Sequence, residues 1–435
     1  MTPNAFSRRA VSRRVALLAA LASSLVLAAC GGGGSDSGQT TLRAVNLTSD
    51  LPSIDLFTGD TKRFSALARN SLSDNAGFNS QTTTLAVKRA GDGASLLSGS
   101  YSLDKDKHYT AVVWGNETGL RLTTLPEDEN TNDITAGNSR VRVFNATTDT
   151  GSVDVYLTKA ADIGGSVPTQ GAITGGTLGG FRDVSTGAYR LVVTGVGDPN
   201  DVRLTIPAIT LEEKKFATLV LTAGSGGVLV NGTLIRQQGT ATALGNTQAR
   251  VRVVASMNNA GVVAVTAAGR TLAGGLRSPS VGPYALVDAG TPDLTVRVNG
   301  AVIATGPRTL ESGADYTVLT YGAEGAGQVR VIADDNRLPT TTSRAKIRLI
   351  HGVAGVGPLT LSVDFLALIP DVPSGTASGY GTVTSTTTAQ VDVTSTSGSA
   401  SLFSQTGVNL QGQAIYTVFI LGGNATPTGV IRKER

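Results

Sequence analysis

Acid–base, nucleophilic or metal chemistry needs histidines, paired carboxylates or thiols that a fold can bring together. This chain of 435 residues holds two histidines and one cysteine. His108 and His351 are 243 residues apart. His108 follows the polar run Asp104-Lys105-Asp106-Lys107 and reads as solvated, and His351 closes the strand-like "IRLI". Two acidic clusters, Glu127-Asp128-Glu129 with Asp133 and Asp334-Asp335-Asn336, carry oxygens of the kind calcium takes. Neither has the D-x-[DN]-x-[DN]-G spacing of a calcium loop, and both read as solvated linkers. Gly175-Gly176 with Gly179-Gly180, and Gly224 with Gly226-Gly227, lack the strand–GxxxxGK–helix setting of a phosphate cradle and read as hairpin loops. No catalytic residue, metal site or cofactor is therefore assigned.

The one thiol, Cys30, stands where chemistry of another kind is expected. Residues 1–29 contain Arg8, Arg9, Arg13 and Arg14, no acid, and an apolar run from Val15 to Ala29. A basic start, a short apolar stretch and small residues before a cut describe a secretory signal. The run is shorter than the roughly 20 residues of a spanning helix. Leu27-Ala28-Ala29-Cys30 resembles the lipobox of bacterial lipoproteins. That resemblance implies cleavage before Cys30, acylation of its thiol and of the new amino terminus, and a stable bilayer anchor, since two or more acyl chains hold where one does not. Gly31-Gly32-Gly33-Gly34-Ser35 and the residues to Thr40 then form a flexible tether. Gly31, where retained inner-membrane lipoproteins often carry aspartate, implies the outer membrane of a Gram-negative cell, with the body facing the periplasm or the cell surface.

Composition limits the partners. The chain has 36 basic and 32 acidic residues, and four of the basic ones leave with the signal. No Lys/Arg-rich block remains, so nucleic acid finds no electrostatic footprint. Charged residues make up 16% of the chain, well under the usual ~25%. Abundant Thr, Val and Gly and the lack of helical apolar periodicity point to an all-β fold. With its one cysteine lipidated, the body holds no disulfide and must rest on apolar burial.

The elements that would position any site repeat four times. "LRAVN" at Leu42, "VRVFN" at Val141, "VRVVA" at Val251 and "IRLIH" at Ile347 each set an arginine between apolar residues: Arg43, Arg142, Arg252 and Arg348. Twelve residues after each arginine, Asp55, Asp154, Ala264 and Thr360 stand between apolar neighbours, the period-2 mark of a half-buried strand. Asp55 and Asp154 are expected to face outward and pair across strands with Arg43 and Arg142. Arg252 and Arg348 have no such acid and are expected to pair elsewhere on the surface or stay solvated, a ligand contact being the lesser alternative. Later in each copy, Tyr109, Phe216, Tyr316 and Tyr416 recur at spacings of 107, 100 and 100 residues, five or six places after a leucine. This resembles the tyrosine corner of immunoglobulin-type sandwiches. Phe216 lacks the hydroxyl, so its corner is expected to rest on packing. Trp114, Leu221, Tyr321 and Leu421, five places on, are expected in the core.

"RVRVFNATTDTGSVDVYL", "GAYRLVVTG" and "DYTVLTYG" ending in "VRVIADDNRLP" resemble the bacterial family called domain of unknown function 4397, with copies two and three fitting best. The resemblance implies tandem immunoglobulin-like β-sandwiches in an exported protein and no particular activity. The organisation expected is a signal peptide over 1–29, lipidated Cys30 and tether over 30–40, and sandwich repeats over 41–135, 139–245, 249–343 and 345–435. Units of this size carry their own cores, so beads in tandem are expected. The function expected is non-catalytic: an anchored structural, adhesive or macromolecule-binding envelope protein, or else a periplasmic accessory module that binds polysaccharide or a partner enzyme.

Overall fold

The computed structural model describes residues 39–79, 82–91, 93–395 and 401–435. Cys30, the lipobox residues Leu27, Ala28 and Ala29, and the glycine tether lie outside the described residues. Strands form eight sheets among those described, two per repeat, joined only by turns and three single-turn 3-10 segments. Each repeat is a sandwich of two facing sheets. The chain is all-β, as its composition and turn chemistry predict.

One sheet of every repeat is built alike. Its arginine strand (Gln39–Thr48, Asn138–Ala146, Gln248–Met257, Arg344–His351) lies beside the strand that follows the corner (His108–Gly115, Phe216–Ala223, Asp315–Gly322, Ile415–Leu421). The two run parallel in all four repeats. A return strand (Arg121–Pro126, Val230–Arg236, Gln328–Asp334, Thr428–Lys433) pairs antiparallel with the corner strand on its far side. The other sheet contains the second strand of the repeat and its hairpin partners, antiparallel throughout.

Each sandwich encloses its own core. In repeat 1, Leu42, Ala44, Tyr109, Ala111 and Val113 face Ile54, Leu56, Leu85 and Val87; repeat 4 has Ile347, Leu349, Tyr416, Val418 and Ile420 against Leu359, Leu361, Val391 and Val393. Alternate residues of the same strands point the other way, and those are buried too. Val45, Leu47, Val112 and Trp114 of repeat 1 meet Phe144, Val220 and Ile235 of repeat 2. Val254, Leu319 and Tyr321 of repeat 3 meet Ile350, Phe419 and Leu421 of repeat 4. The arginine sheets of repeats 1 and 2, and of repeats 3 and 4, therefore pack face to face. A sheet buried on both faces carries apolar residues on both, which explains unbroken runs such as "IYTVFIL".

This corrects the picture of independent beads. It also corrects three core assignments. Trp114, Tyr321 and Leu421 are buried, but in the seams between repeats, whereas Leu221 lies in its own repeat's core. The span Gly38–Arg435 forms one compact unit.

Candidate functional site

The four arginines share one local design. Pairing in register with the parallel neighbour sets a threonine beside each: Thr110, Thr218, Thr317 and Thr417. The guanidinium Nε donates to the threonine hydroxyl at 2.9, 3.0, 2.8 and 3.2 Å respectively. On its other side, in three repeats, stands an aromatic ring. Phe181, Tyr284 and Tyr380 lie 4.3, 4.7 and 4.9 Å from the guanidinium carbons of Arg142, Arg252 and Arg348. Delocalised, weakly hydrated guanidinium suits such stacking, and the Lys346 ammonium shares the Tyr380 ring at 4.6 Å. A fourth position, at or just past the end of the return strand, is Glu127, Gln237, Asp334 and Glu434 in the four repeats.

In the seam between repeats 3 and 4 these groups exchange partners. Arg348 Nη2 donates to Asp334 Oδ1 at 2.6 Å, and Arg252 Nη1 donates to both oxygens of Glu434 at 2.7 Å. Each arginine thus takes the carboxylate of the other repeat. Asp334 also accepts from the Thr317 hydroxyl at 2.6 Å and the Tyr284 hydroxyl at 2.7 Å. Both arginines are 2% exposed. Burial raises the pKa of Asp334, but Arg348 and Arg252, with the two hydroxyls, hold it below the ordinary carboxylate value. Burial likewise works against the Arg252 cation, and Tyr284, Glu434 and Asp334 outweigh it. The Tyr284 phenol is pushed up, first by burial and then by Asp334. Opposite charges and hydroxyl donors thus favour the ionised forms of Asp334 and Arg252 and the neutral form of Tyr284.

The same network continues into repeat 2. Asn336 donates to Tyr284 at 3.0 Å and to Asp315 at 2.7 Å. Asp315 takes a bidentate contact from Arg250, Nε lying at 2.8 Å. Arg250 lies 3.9 Å from Asp201, which is also held by Arg203 at 2.7 Å. Arg435 reaches the carbonyls of Asp149 and Thr150 in repeat 2. Burial, followed by the nearby Arg203 and Arg250, lowers its pKa to about 10.

The seam between repeats 1 and 2 is built differently. Arg43 Nη2 contacts Glu127 of its own repeat at 2.5 Å and the Arg236 carbonyl at 2.8 Å, and Nη1 contacts the Gly239 carbonyl. Gln237 forms a reciprocal amide pair with the backbone of Glu129, at 3.1 and 2.9 Å. Gln238 donates to the Glu127 carbonyl at 2.8 Å. His108 Nδ1 lies 2.8 Å from Asp128.

Several expectations are corrected. Asp55 and Asp154, each between two core residues, lie on the outer face of their sheet but are covered there and do not touch Arg43 or Arg142. They are buried in the opposite sheet as turn anchors, Asp55 accepting from Ala66 N at 2.7 Å and Asp154 from Ala172 N at 2.7 Å and Gly197 N at 2.9 Å. Glu127 and Asp334 are not solvated linker acids but the anions of the seams, 5% and 4% exposed. His108 is half-buried against Asp128 rather than free in solvent. Tyr109, Tyr316 and Tyr416 each accept a hydrogen bond from the backbone N–H five residues upstream, at Asp104, Glu311 and Gln411. Phe216 does not occupy that place. Ala217 pairs with Val141 as Tyr109 pairs with Leu42, so Phe216 points into the seam. The sequence carried the signal: the preceding leucine is six residues before each tyrosine but five before Phe216. What reasoning on sequence missed was the pairing of Arg43, Arg252 and Arg348, because the acid stands some 80 residues away or in another repeat.

Two comparisons with known proteins bear on this arrangement. A family model described as Domain of unknown function (DUF4397) matches residues 40–156, 249–354 and 345–434. The matched segments take in repeats 1, 3 and 4 and only the opening strands of repeat 2, whereas repeats 2 and 3 were expected to fit best. A comparison with curated proteins gave no match.

Proposed function

From the premise that this chain belongs to the DUF4397 family, we propose that it is a lipid-anchored envelope protein that presents four fused β-sandwiches as one rigid, non-catalytic body for adhesion or for binding another macromolecule. The observation that carries this reading is the crossed pairing of Arg252 with Glu434 and Arg348 with Asp334. Strongly ionised groups are used there to fix how one repeat sits on the next, which is what a presenting body requires. Buried pairs of this kind serve register and specificity better than they serve stability. Loops and outer sheet edges, held by that body, are the surfaces left to vary and to accept a partner strand.

Anchoring rests on the lipobox Leu27-Ala28-Ala29-Cys30 and the basic, acid-free leader. In the expected outcome, the Cys30→Ser variant leaves the membrane fraction of the producing cell while the native chain stays. Retention of the variant in membranes overturns the anchor. Protease treatment of intact cells, with a tag after Arg435 and a periplasmic marker, then separates display at the surface from a periplasmic role. Loss of the tag with survival of the marker supports adhesion; survival of both moves the search to periplasmic partners such as polysaccharide or an enzyme.

A further inference from the structure

The two seams differ by one carboxylate. In the seam of repeats 3 and 4, two guanidiniums meet two acids, Asp334 and Glu434. In the seam of repeats 1 and 2, the place of Glu434 is taken by Gln237, so Arg43 draws on Glu127, the acid equivalent to Asp334. Arg142, the counterpart of Arg348, is left with the Thr218 hydroxyl and a 3.4 Å contact to the Pro126 carbonyl. Among the described residues no carboxylate hydrogen-bonds to it. It is nonetheless 8% exposed, and burial lowers its pKa against the opposing pull of Glu129 and Glu127.

Beside Arg142 lies a recess of about 10 Å³, lined also by Glu127, Phe181, Phe216, Thr218 and Gln237. That is room for one water-sized group. Through Phe216 and Gln237 the recess adjoins an open cleft of about 480 Å³, whose lining sets Lys215 and Asn130 against the acids Asp128 and Glu129, so only a singly charged anion is favoured there. Phe181 covers one face of the guanidinium at 4.3 Å, and of its nitrogens Nε and Nη2 make the two contacts just given. We propose that this recess binds the carboxylate of a small monobasic organic acid, one oxygen on the Arg142 guanidinium and the remainder in the cleft, so that a ligand supplies the anion that residue 434 supplies in the other seam. Guanidinium is suited to carboxylate by its fork of donors, and a water-excluded site strengthens the contact. Sulfate and phosphate would bring further negative charge against Glu127, Asp128 and Glu129 and are disfavoured.

The test is thermal unfolding of the full folded body with acetate titrated against sodium chloride at equal ionic strength, followed also by the emission of Trp114, the one tryptophan. A saturable Tm rise of about 2 °C is expected for the native chain, as for any ligand that binds only the folded state. Sulfate should give none beyond chloride. Arg142→Gln should abolish the rise. Gln237→Glu should also abolish it, because it restores the missing carboxylate and frees Glu127 for Arg142. Should Arg142→Gln fail to fold, Gln237→Glu decides alone. No rise in the native chain, or an equal rise in native and Gln237→Glu proteins, overturns the site. Glu129→Gln should tighten acetate binding; complete loss in that variant also overturns it.

Discussion

Arg348 finds its carboxylate outside its own repeat, 2.6 Å away on Asp334 of the repeat before it, while Arg252 reaches forward to Glu434. The exchange makes each arginine a statement about its neighbour rather than about its own sandwich.

Removing one member should therefore be costly. Arg348→Ala leaves Asp334 buried with Arg252 no nearer than 4.0 Å, and a broken buried pair costs about 3–5 kcal/mol. The paired replacement Arg348→Met with Asp334→Leu is expected to recover more than half of that. Urea unfolding midpoints of the single and double variants check it, and a double variant as weak as Arg348→Ala refutes it.

The threonine beside each arginine offers a milder probe. Thr417→Val keeps shape and removes the hydroxyl that accepts from Arg348, so a loss of about 1–2 kcal/mol is expected for a hydrogen bond to a charged group. Equal stability of native and Thr417→Val proteins in urea would show that the hydroxyl contributes nothing.

Trp114 packs edge-on against Phe144 of the next repeat, ring centres 5.6 Å apart at 89°. Trp114→Ala should cost about 3–5 kcal/mol and loosen the seam, exposing the segment from Glu127 to Asn138 to protease. Native emission should be blue-shifted. Unchanged cleavage of the variant would place the strength of the seam elsewhere.

Phe216→Tyr separates two readings of repeat 2. A corner position would gain a hydrogen bond of about 1 kcal/mol. Since Phe216 faces Phe181 at 4.9 Å in the seam, the new hydroxyl is expected to give no gain. The control Tyr416→Phe should lose about 1 kcal/mol. A stabilised Phe216→Tyr protein, measured by calorimetry, would restore the corner reading.

Acid should weaken the body in two stages. Burial lowers the pKa of His351, with the Gly357 and Val356 carbonyls opposing. Protons then favour the unfolded chain as pH falls through the ordinary histidine value of about 6.5. Asp334, held below its ordinary value, contributes stability that is present above the unfolded pKa of about 3.9 and lost as pH falls through the folded one. Tm measured from pH 8 to pH 3 should therefore step down near both values, and His351→Gln should remove the upper step. A single step below pH 4 in the native chain contradicts the histidine contribution.

Much of the fold was legible from alternation and recurrence. "VRVFN" and its three counterparts marked the arginine strands, and the recurrent leucine–tyrosine spacing marked the corners. Period-2 patterning reports which residues share a face, but not what covers that face. Val45 and Trp114 read as core because they are apolar, and only the packing of a second sheet shows that they belong to a seam. The acids were harder still. Glu127 and Asp334 sit in runs that look like linkers, "PEDEN" and "ADDN", because the runs are polar throughout, although Asp128, Glu129 and Asp335 are half-buried and Asn336 is buried. Buried members of a polar run carry no apolar periodic signal.

Parallel pairing of the arginine strand with the corner strand has a consequence for the order of events at synthesis. The strands that must meet, Gln248–Met257 and Asp315–Gly322, are separated by most of their repeat, so the arginine sheet closes only once the chain beyond Tyr321 has emerged. Contacts so distant in sequence close slowly. Repeat 3 then stands complete with Arg252 and Asp334 facing water, and both are satisfied only when repeat 4, as far as Glu434, has arrived. A chain halted between the two repeats presents a finished sandwich with an open, apolar, charge-studded face, which makes the half-made product the species most in need of a chaperone.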